Sequence, residues 1–481
     1  MFSKTIDVKD LDPQTPAGRQ NLKALAVLGP DVKQLTIKGE DPKLKAREAE
    51  YEELDYGRYD NQRVSALSDL LATSQSLQSL SLEDVQLGTA TGAFALSLKK
   101  FNRSLRFLEI TGLEYSNTTT YTMDLDAHGS TAMLLAEVLS ENNSLVHLKL
   151  HSPSLNKKII HDAHILIHAG GILYHACRQN AVQSLDLSGI HIGKSPLEKS
   201  FDEKEIQESV AQNTVLKVLA LRNCAFPLPH RQWYFDKPAP FWPIFTPFLR
   251  GLRDNKHLEI LDLSRYAITD DSTQRARYTG APEEAISDVV GLVLHNTALR
   301  ALSLQGWCFR DEIAINLADA LEKNTSLLHF NAINNQLTHK GIAAFAKAIR
   351  GNRRLRRLEL YSTQKAGFGS DPRNNTADNI LTAESLAALS QSLKENKILS
   401  PVGLTEPLQE AEPKAMDFIS RVAALNAEWA KEQENFDRAS GLNDHLPKDP
   451  KQEVMFNYPG NKLSRETEQC LAERAAKGVK P

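Results

Sequence analysis

Imidazoles are the first candidates for chemistry in this chain. Seven of its fourteen histidines fall between His147 and His191, and His161, His164, His168 and His175 stand at i, i+3, i+7 and i+14. On a helix that spacing aligns them on one face, where imidazoles can bind zinc or titrate near neutral pH. No carboxylate or cysteine pattern accompanies them, and Gly170-Gly171 falls inside the run. A solvated stripe is the expectation, so no metal and no cofactor is assigned. The four cysteines, Cys177, Cys224, Cys308 and Cys470, are scattered without a CxxC pair, which argues against a zinc site or disulfide framework and for reduced thiols. None is flanked by the residues of a nucleophile motif; Cys224 reads as a buried residue, and Cys470 is given no role. Walker, GxGxxG, GxSxG and HExxH patterns are all missing, so no catalytic residue is named and the reading is non-enzymatic.

Recognition chemistry is better represented. The segment FPLPHRQWYFDKPAPFW, residues 226 to 242, carries Trp233 and Tyr234, the best single candidates for partner contact. Arg265, Tyr266, Trp307 and Tyr361 stand at comparable positions further on. Aromatic side chains with arginine are what interface hot spots are made of. An equally good reading has the 226 to 242 loop folding its aromatics into a small satellite core.

The elements that must position these residues follow from a repeat. Leu327, Phe330 and Ala332 recur 28 residues later as Leu355, Leu358 and Leu360, and Leu337, Ile342, Phe345, Ala348 and Ile349 between them keep helical spacing. The unit is strand, turn, helix, turn, and neither half buries its apolar side alone, so copies must stack. The pattern L-x-x-L-x-L appears nine times, with Leu80, Leu108, Leu148, Leu185, Leu219, Leu261, Leu302, Phe330 and Leu358 at its middle position. Residues beside this column point away from the helices. They place Glu109, Lys149, Asp186, Asp262 and Glu359 in one row and Arg222 with Tyr361 in the next, a polar surface of mixed sign suited to holding a protein partner.

Six residues before the middle position, Asn102, Asn142, Asn213, Asn255, Asn296, Asn324 and Asn352 recur, with Ser74 in the first repeat. A left-handed helix C-cap, which asparagine tolerates, is the expected reason. Because that turn keeps its length, extra residues must fall between strand and helix: 114 to 130, 154 to 162, 193 to 202, 226 to 242, 265 to 281 and 361 to 379. All then lie on one rim, as loops that build binding surfaces do.

Hydrophobic residues make up 41% and charged residues 24%, and a formal net charge of −3 implies no general affinity for nucleic acid. The amino terminus lacks a secretory apolar core and no apolar run spans a bilayer. A cytoplasmic protein without membrane association is expected; delivery into a host cell is compatible with this, and oligomeric state is unassigned. The chain divides into 1–69, an amino-terminal cap or degenerate repeat; 70–404, a solenoid of nine to ten units; 405–440, a helical cap with Phe418, Val422, Leu425, Trp429 and Phe436 at heptad-like spacing; and 441–481, an extended or disordered tail.

The 28-residue unit with a full outer helix resembles the ribonuclease-inhibitor-like subclass of leucine-rich repeat proteins over residues 70 to 404. The resemblance implies an α/β horseshoe with a concave parallel sheet and convex helices. It also implies a recognition module for a partner protein, with a bacterial effector acting on host proteins as one version. The family's inner asparagine-or-cysteine position is kept only by Cys224 and Asn335. Related repeat domains suggest two alternatives: a ubiquitin-ligase component, though residues 1 to 60 lack an F-box-like pattern, and a GTPase-activating protein of the Ran-activator type, though the tail is not strongly acidic.

Overall fold

A computed structural model describes residues 2–11, 15–26, 32–38, 56–83, 91–111, 138–139, 141–151, 170–178, 181–188, 203–221, 245–264, 268–270, 275–277, 283–360, 379 and 382–396. Contacts divide the chain into two units, Met1–Leu258 and Glu259–Pro481. The insertions at 114 to 130, 154 to 162, 193 to 202 and 226 to 242, and everything from 397 onward, lie outside the described residues.

In the first unit the order is β1 (Phe2–Asp7), α1 (Pro16–Ala26), β2 (Val32–Lys38), α2 (Tyr56–Thr73), β3 (Ser79–Glu83), α3 (Thr91–Leu96), β4 (Phe107–Thr111), β5 (His147–His151), α4 (Gly170–Arg178), β6 (Ser184–Asp186), α5 (Glu203–Gln212), β7 (Val218–Ala220) and α6 (Phe245–Asp254). A π-helical turn, Ser97–Phe101, continues α3. The strands pair in chain order, all parallel. Their register aligns Leu35, Leu80, Leu108, Leu148, Leu185 and Leu219. All six are buried against the helices, and each contributes about 1.5–3 kcal/mol by leaving water. The column therefore starts one strand before the nine-fold pattern, within the amino-terminal cap or degenerate repeat. Strand β1, outside the repeat pattern, pairs with β2 and extends the sheet by one further strand.

The second unit holds β8 (Ile260–Asp262), β9 (Ile268–Asp270), β10 (Arg275–Arg277), α7 (Glu283–His295), β11 (Ala301–Ser303), α8 (Arg310–Lys323), β12 (His329–Asn331), α9 (His339–Gly351), β13 (Arg357–Glu359) and α10 (Ala383–Glu395). Strands β8, β11, β12 and β13 are parallel and align Leu261, Leu302, Phe330 and Leu358. Phe330 packs on Phe345 of α9 with ring centroids 5.8 Å apart. The insertion at 265 to 281 carries an antiparallel hairpin, β9 with β10. Parallel strands alternating with helices around a leucine column make the fold an α/β leucine-rich repeat solenoid.

The recurring asparagines are not left-handed caps. Asn102, Asn324, Asn352 and Asn396 have φ of −77°, −67°, −71° and −95°, in the extended region. Their value lies in the side-chain amide. Each Oδ1 in the series accepts the backbone N–H three residues on, as at Leu105, Leu145, Leu216, Leu258, Leu299, Leu327 and Leu355, at 2.7–2.9 Å. The Nδ2 donates backwards to the last turn of the preceding helix. Asn352 reaches Leu321 O at 2.6 Å and Asn324 O at 3.1 Å, and Asn396 reaches Ile349 O and Asn352 O at 2.6 and 2.9 Å. One buried amide thus satisfies both a turn N–H and carbonyls left over at a helix end. Serine does half of this: Ser74 Oγ accepts from Leu77 N at 3.2 Å.

Left-handed backbone occurs on the other rim. Gly306, Cys308 and Arg310 after β11, and Asn334 and Gln336 after β12, have φ between 53° and 73°. These tight strand-to-helix turns bring Asp311 against the start of α9. Its carboxylate accepts from Thr338 N at 2.8 Å and Gly341 N at 3.0 Å, as well as from the Thr338 hydroxyl. A Cβ at Gly341 would lie 2.5 Å from Asp311 Oδ1. Asn379 completes the spine after β13: it accepts from Asn335 N and Leu337 N and donates to Ala332 O and Leu360 O. The last spine asparagine therefore stands at the very end of the 361 to 379 insertion.

Candidate protein-recognition face

Because side chains alternate along a strand, the residues on both sides of each leucine share the sheet face turned away from the helices. Beside the two rows read from the sequence, the first of them with Glu109 and Lys149, a preceding row therefore lines it, with Phe107 and His147 in the first unit and His329 and Arg357 in the second. Sequence reasoning missed this preceding row, although strict alternation around the leucines was the signal for it.

In the first unit β3, β4 and β5 run for five residues each. Lys38 Nζ lies 3.3 Å from Glu83 Oε2, and His147 Nε2 lies 3.5 Å from Glu109 Oε1. Glu109 and Lys149 are half-buried neighbours in register across β4 and β5. Beside them Phe107 is 41% exposed, with its ring 6.1 Å from that of the buried His147. An aromatic ring among partly exposed charges of both signs is suited to a protein surface.

Elsewhere the expected carboxylates turn inward. Asp186 accepts Ser188 N at 2.9 Å. Asp262, fully buried, accepts Ser264 N at 3.0 Å and the Ser264 hydroxyl at 2.6 Å, and Ser264 Oγ lies 2.7 Å from Ser303 Oγ. Asn331 does the same to Ile333 N at 3.0 Å. Short acceptors here fold back on their own backbone just past three-residue strands. Glu359 is buried against Arg357 Nη2 at 2.6 Å. Trp307 is 1% exposed, and its indole N–H donates to Leu263 O at 2.7 Å. Burial thus removes Asp186, Asp262, Trp307 and Glu359 from the accessible set expected from sequence. Arg222, Trp233, Tyr234, Arg265, Tyr266 and Tyr361 lie outside the described residues.

His161, His164 and His168 also lie outside the described residues, while His175 of α4 stacks edge-on to Tyr174 at 5.3 Å. Among the described residues no cluster of metal-ligating side chains is found, and no helix is long and apolar enough to cross a membrane. Tyr174 joins α4 to α5: its hydroxyl donates to Glu205 and accepts from Arg178 Nη1 at 2.8 Å, and burial followed by the Glu205 hydrogen bond raises its pKa. Burial pushes the Cys177 thiol up to about 12, which makes it an inert packing residue.

No protein-family model and no curated protein matches the sequence. Among solved structures the chain is similar to leiomodin-1 actin-binding site 2, at 16% identity and a TM-score of 0.29, over 42% of this chain and 99% of that one. It is also similar to the tropomodulin C-terminal domain of Caenorhabditis elegans, at 18% identity and a TM-score of 0.26, over 32% of this chain and 82% of that one. At these values neither likeness bears on function.

Proposed function

We propose that this chain is a non-enzymatic recognition scaffold that binds a partner protein through the sheet face of its first unit, with the strand-to-helix rim contributing. The observation that carries the reading is the exposed Phe107 ring beside Glu109, His147 and Lys149, with the Lys38–Glu83 pair at the far end of the neighbouring strands β2 and β3. A face serving only solvent has no need of an exposed phenylalanine at the start of a five-residue strand. The partner would seat an apolar group on Phe107 and satisfy charges of both signs around it. Assignment to the ribonuclease-inhibitor-like subclass rests on the 28-residue interval and the full outer helix. The effector, ligase-component and GTPase-activator readings rest on the repeat resemblance and on no described residue.

The test is affinity capture from eukaryotic and bacterial lysates with the wild type and with a Phe107→Ala, Lys149→Gln double variant, read beside thermal melting. A partner lost in the variant at unchanged Tm is the expected result. Retention of every partner would move recognition to the rim or the helices.

A further inference from the structure

Five large apolar side chains are exposed among the described residues, and three of them, Leu96, Phe101 and Phe107, lie within one repeat. Phe107 belongs to the sheet face already described. Leu96 and Phe101 stand on the helix side, 44% and 58% exposed. The π-helical turn pairs them. Asn102 N–H donates to Ser97 O at 2.9 Å, five residues back, and at that pitch Leu96 and Phe101 stand one above the other. Other repeats keep both places polar or bare. From α5 to α10 the residue before the ladder asparagine is Gln212, Asp254, His295, Lys323, Gly351 and Glu395 in turn. Leu96 sits between two buried pairs, Phe94–Ala95 and Ser97–Leu98, the place that Arg250, Asp319 and Lys347 take in their helices. A lone exposed leucine is ordinary, but two apolar groups aligned where other helices are polar make a ridge. We propose that this ridge, Leu96 and Phe101 with Lys100 and Arg103 beside them, is a second docking surface, taking an acidic amphipathic helix of a partner protein.

Geometry and charge argue for that occupant. Two apolar side chains one above the other form a stripe, which the i, i+3, i+4 seam of a helix covers along its length. The stretch 96 to 107 carries Lys99, Lys100, Arg103 and Arg106 and no carboxylate, and the turns on either side, 74 to 79 and 142 to 147, carry none either. Lys99 is engaged by Glu141 at 2.9 Å and adds nothing to the excess. Lys100, Arg103 and Arg106 are exposed. Arg103 donates to Lys99 O and Asn102 O at 3.1 and 3.0 Å and Arg106 to Ser144 O at 3.2 Å, contacts that fix the guanidiniums and leave their charge in place. One further carboxylate, Asp69, is exposed on α2, the helix before. Three cations against it favour a partner with acidic residues beside its apolar seam. A lipid surface or a nucleic acid would draw on cations spread over several repeats, and the adjoining turns hold no lysine or arginine.

The experiment titrates the full chain with a fluorescently labelled peptide carrying leucine at heptad a and d positions, glutamate at e and g and alanine elsewhere. Counterparts with glutamine or lysine in place of glutamate, and vesicles of phosphatidylserine, are titrated beside it. The glutamate peptide should bind, weaken as salt screens the exposed cations, and outbind the other two peptides. Leu96→Gln with Phe101→Gln should lower its affinity about tenfold or more, and Lys100→Glu should lower it too, both at unchanged Tm because the groups replaced are exposed. Leu294→Gln with Ile315→Gln, which alters the two exposed apolar side chains of the second unit, should change nothing. The proposal is overturned by absent binding of the glutamate peptide, by equal binding of the lysine peptide or of the vesicles, or by equal loss in the two double variants. It is also overturned if Phe107→Ala alone removes the peptide while Leu96→Gln with Phe101→Gln does not. Lysate capture is scored on Phe107 and peptide binding on Phe101, so either reading can fail while the other stands.

Discussion

The sheet face around β3 to β5 and the face around β8, β11, β12 and β13 are each built on a leucine column and end differently. On the first, five-residue strands carry long side chains, and Phe107, Glu109 and Lys149 stay partly in water. On the second, strands of three residues close on Asp262 and Asn331, whose oxygens take the N–H two residues on, and Ser264 and Ser303 bond to each other. A position in a repeat therefore decides which way a side chain points, while its length and its competing backbone partners decide whether anything else can reach it. Aspartate beside a leucine column reads as surface charge and serves as strand punctuation.

Both regions share the asparagine ladder, and the largest expected effects test that common part. Asn142→Ala and Asn324→Ala each strip a buried amide that serves both its own turn and the preceding repeat. Each should cost about 2–4 kcal/mol, since buried N–H and carbonyl groups are left unsatisfied. Chemical denaturation of both variants checks this. A loss confined to one of them would mean that the two regions differ in their turns as well as in their faces.

The faces themselves are compared by Asp262→Ala and Lys149→Ala. Removing Asp262 orphans Ser264 N–H and disturbs the Ser264–Ser303 pair, at about 1–3 kcal/mol. Removing Lys149, half-buried on an open face, should stay within about 0.5 kcal/mol. Equal costs in urea melts would erase the distinction. Reversing Asp186, Asp262 and Glu359 together is expected to destabilise the fold, because all three are buried.

Acid should separate the regions further through His329. Its pKa falls from 6.5 to about 4 on folding, because burial and then Arg357 and Arg356 disfavour the imidazolium. Between those values the unfolded chain binds the additional proton, so the stability held above pH 6.5 is lost as pH falls toward 4. His329→Gln should flatten that part of the wild-type profile. Parallel profiles of the two proteins, followed by circular dichroism, would show that His329 is not held neutral.

The repeat was readable because leucine at fixed spacing has one physical use, burial between sheet and helix. Positions such as Leu302 and Leu358 needed no further information. The asparagines were located correctly and explained wrongly, since extended backbone with a bidentate side chain leaves the same mark in a sequence as a left-handed cap. Asn379 could not be aligned because it closes the insertion at 361 to 379. Trp307 looked like an interface residue from its type; only the structure shows its indole N–H satisfied by Leu263 O. On the proposed face, Glu109 and Lys149 were expected from their row, whereas Phe107 was passed over because the preceding row was not read as part of the face.

Phe107 yields the smallest stability change and the sharpest functional contrast. At 41% exposure its ring touches water on the folded protein, so Phe107→Ser removes little buried area and should move stability by no more than about 0.5 kcal/mol. The neighbouring His147, buried 6.1 Å away, must not be uncovered for this to hold. If the variant melts like the wild type while partner capture disappears, an aromatic ring kept in water at the cost of solubility is explained by what it binds. If melting falls by several degrees, the ring is shielding His147 and the face of the first unit is closed in its own way, which would bring it closer to that of the second.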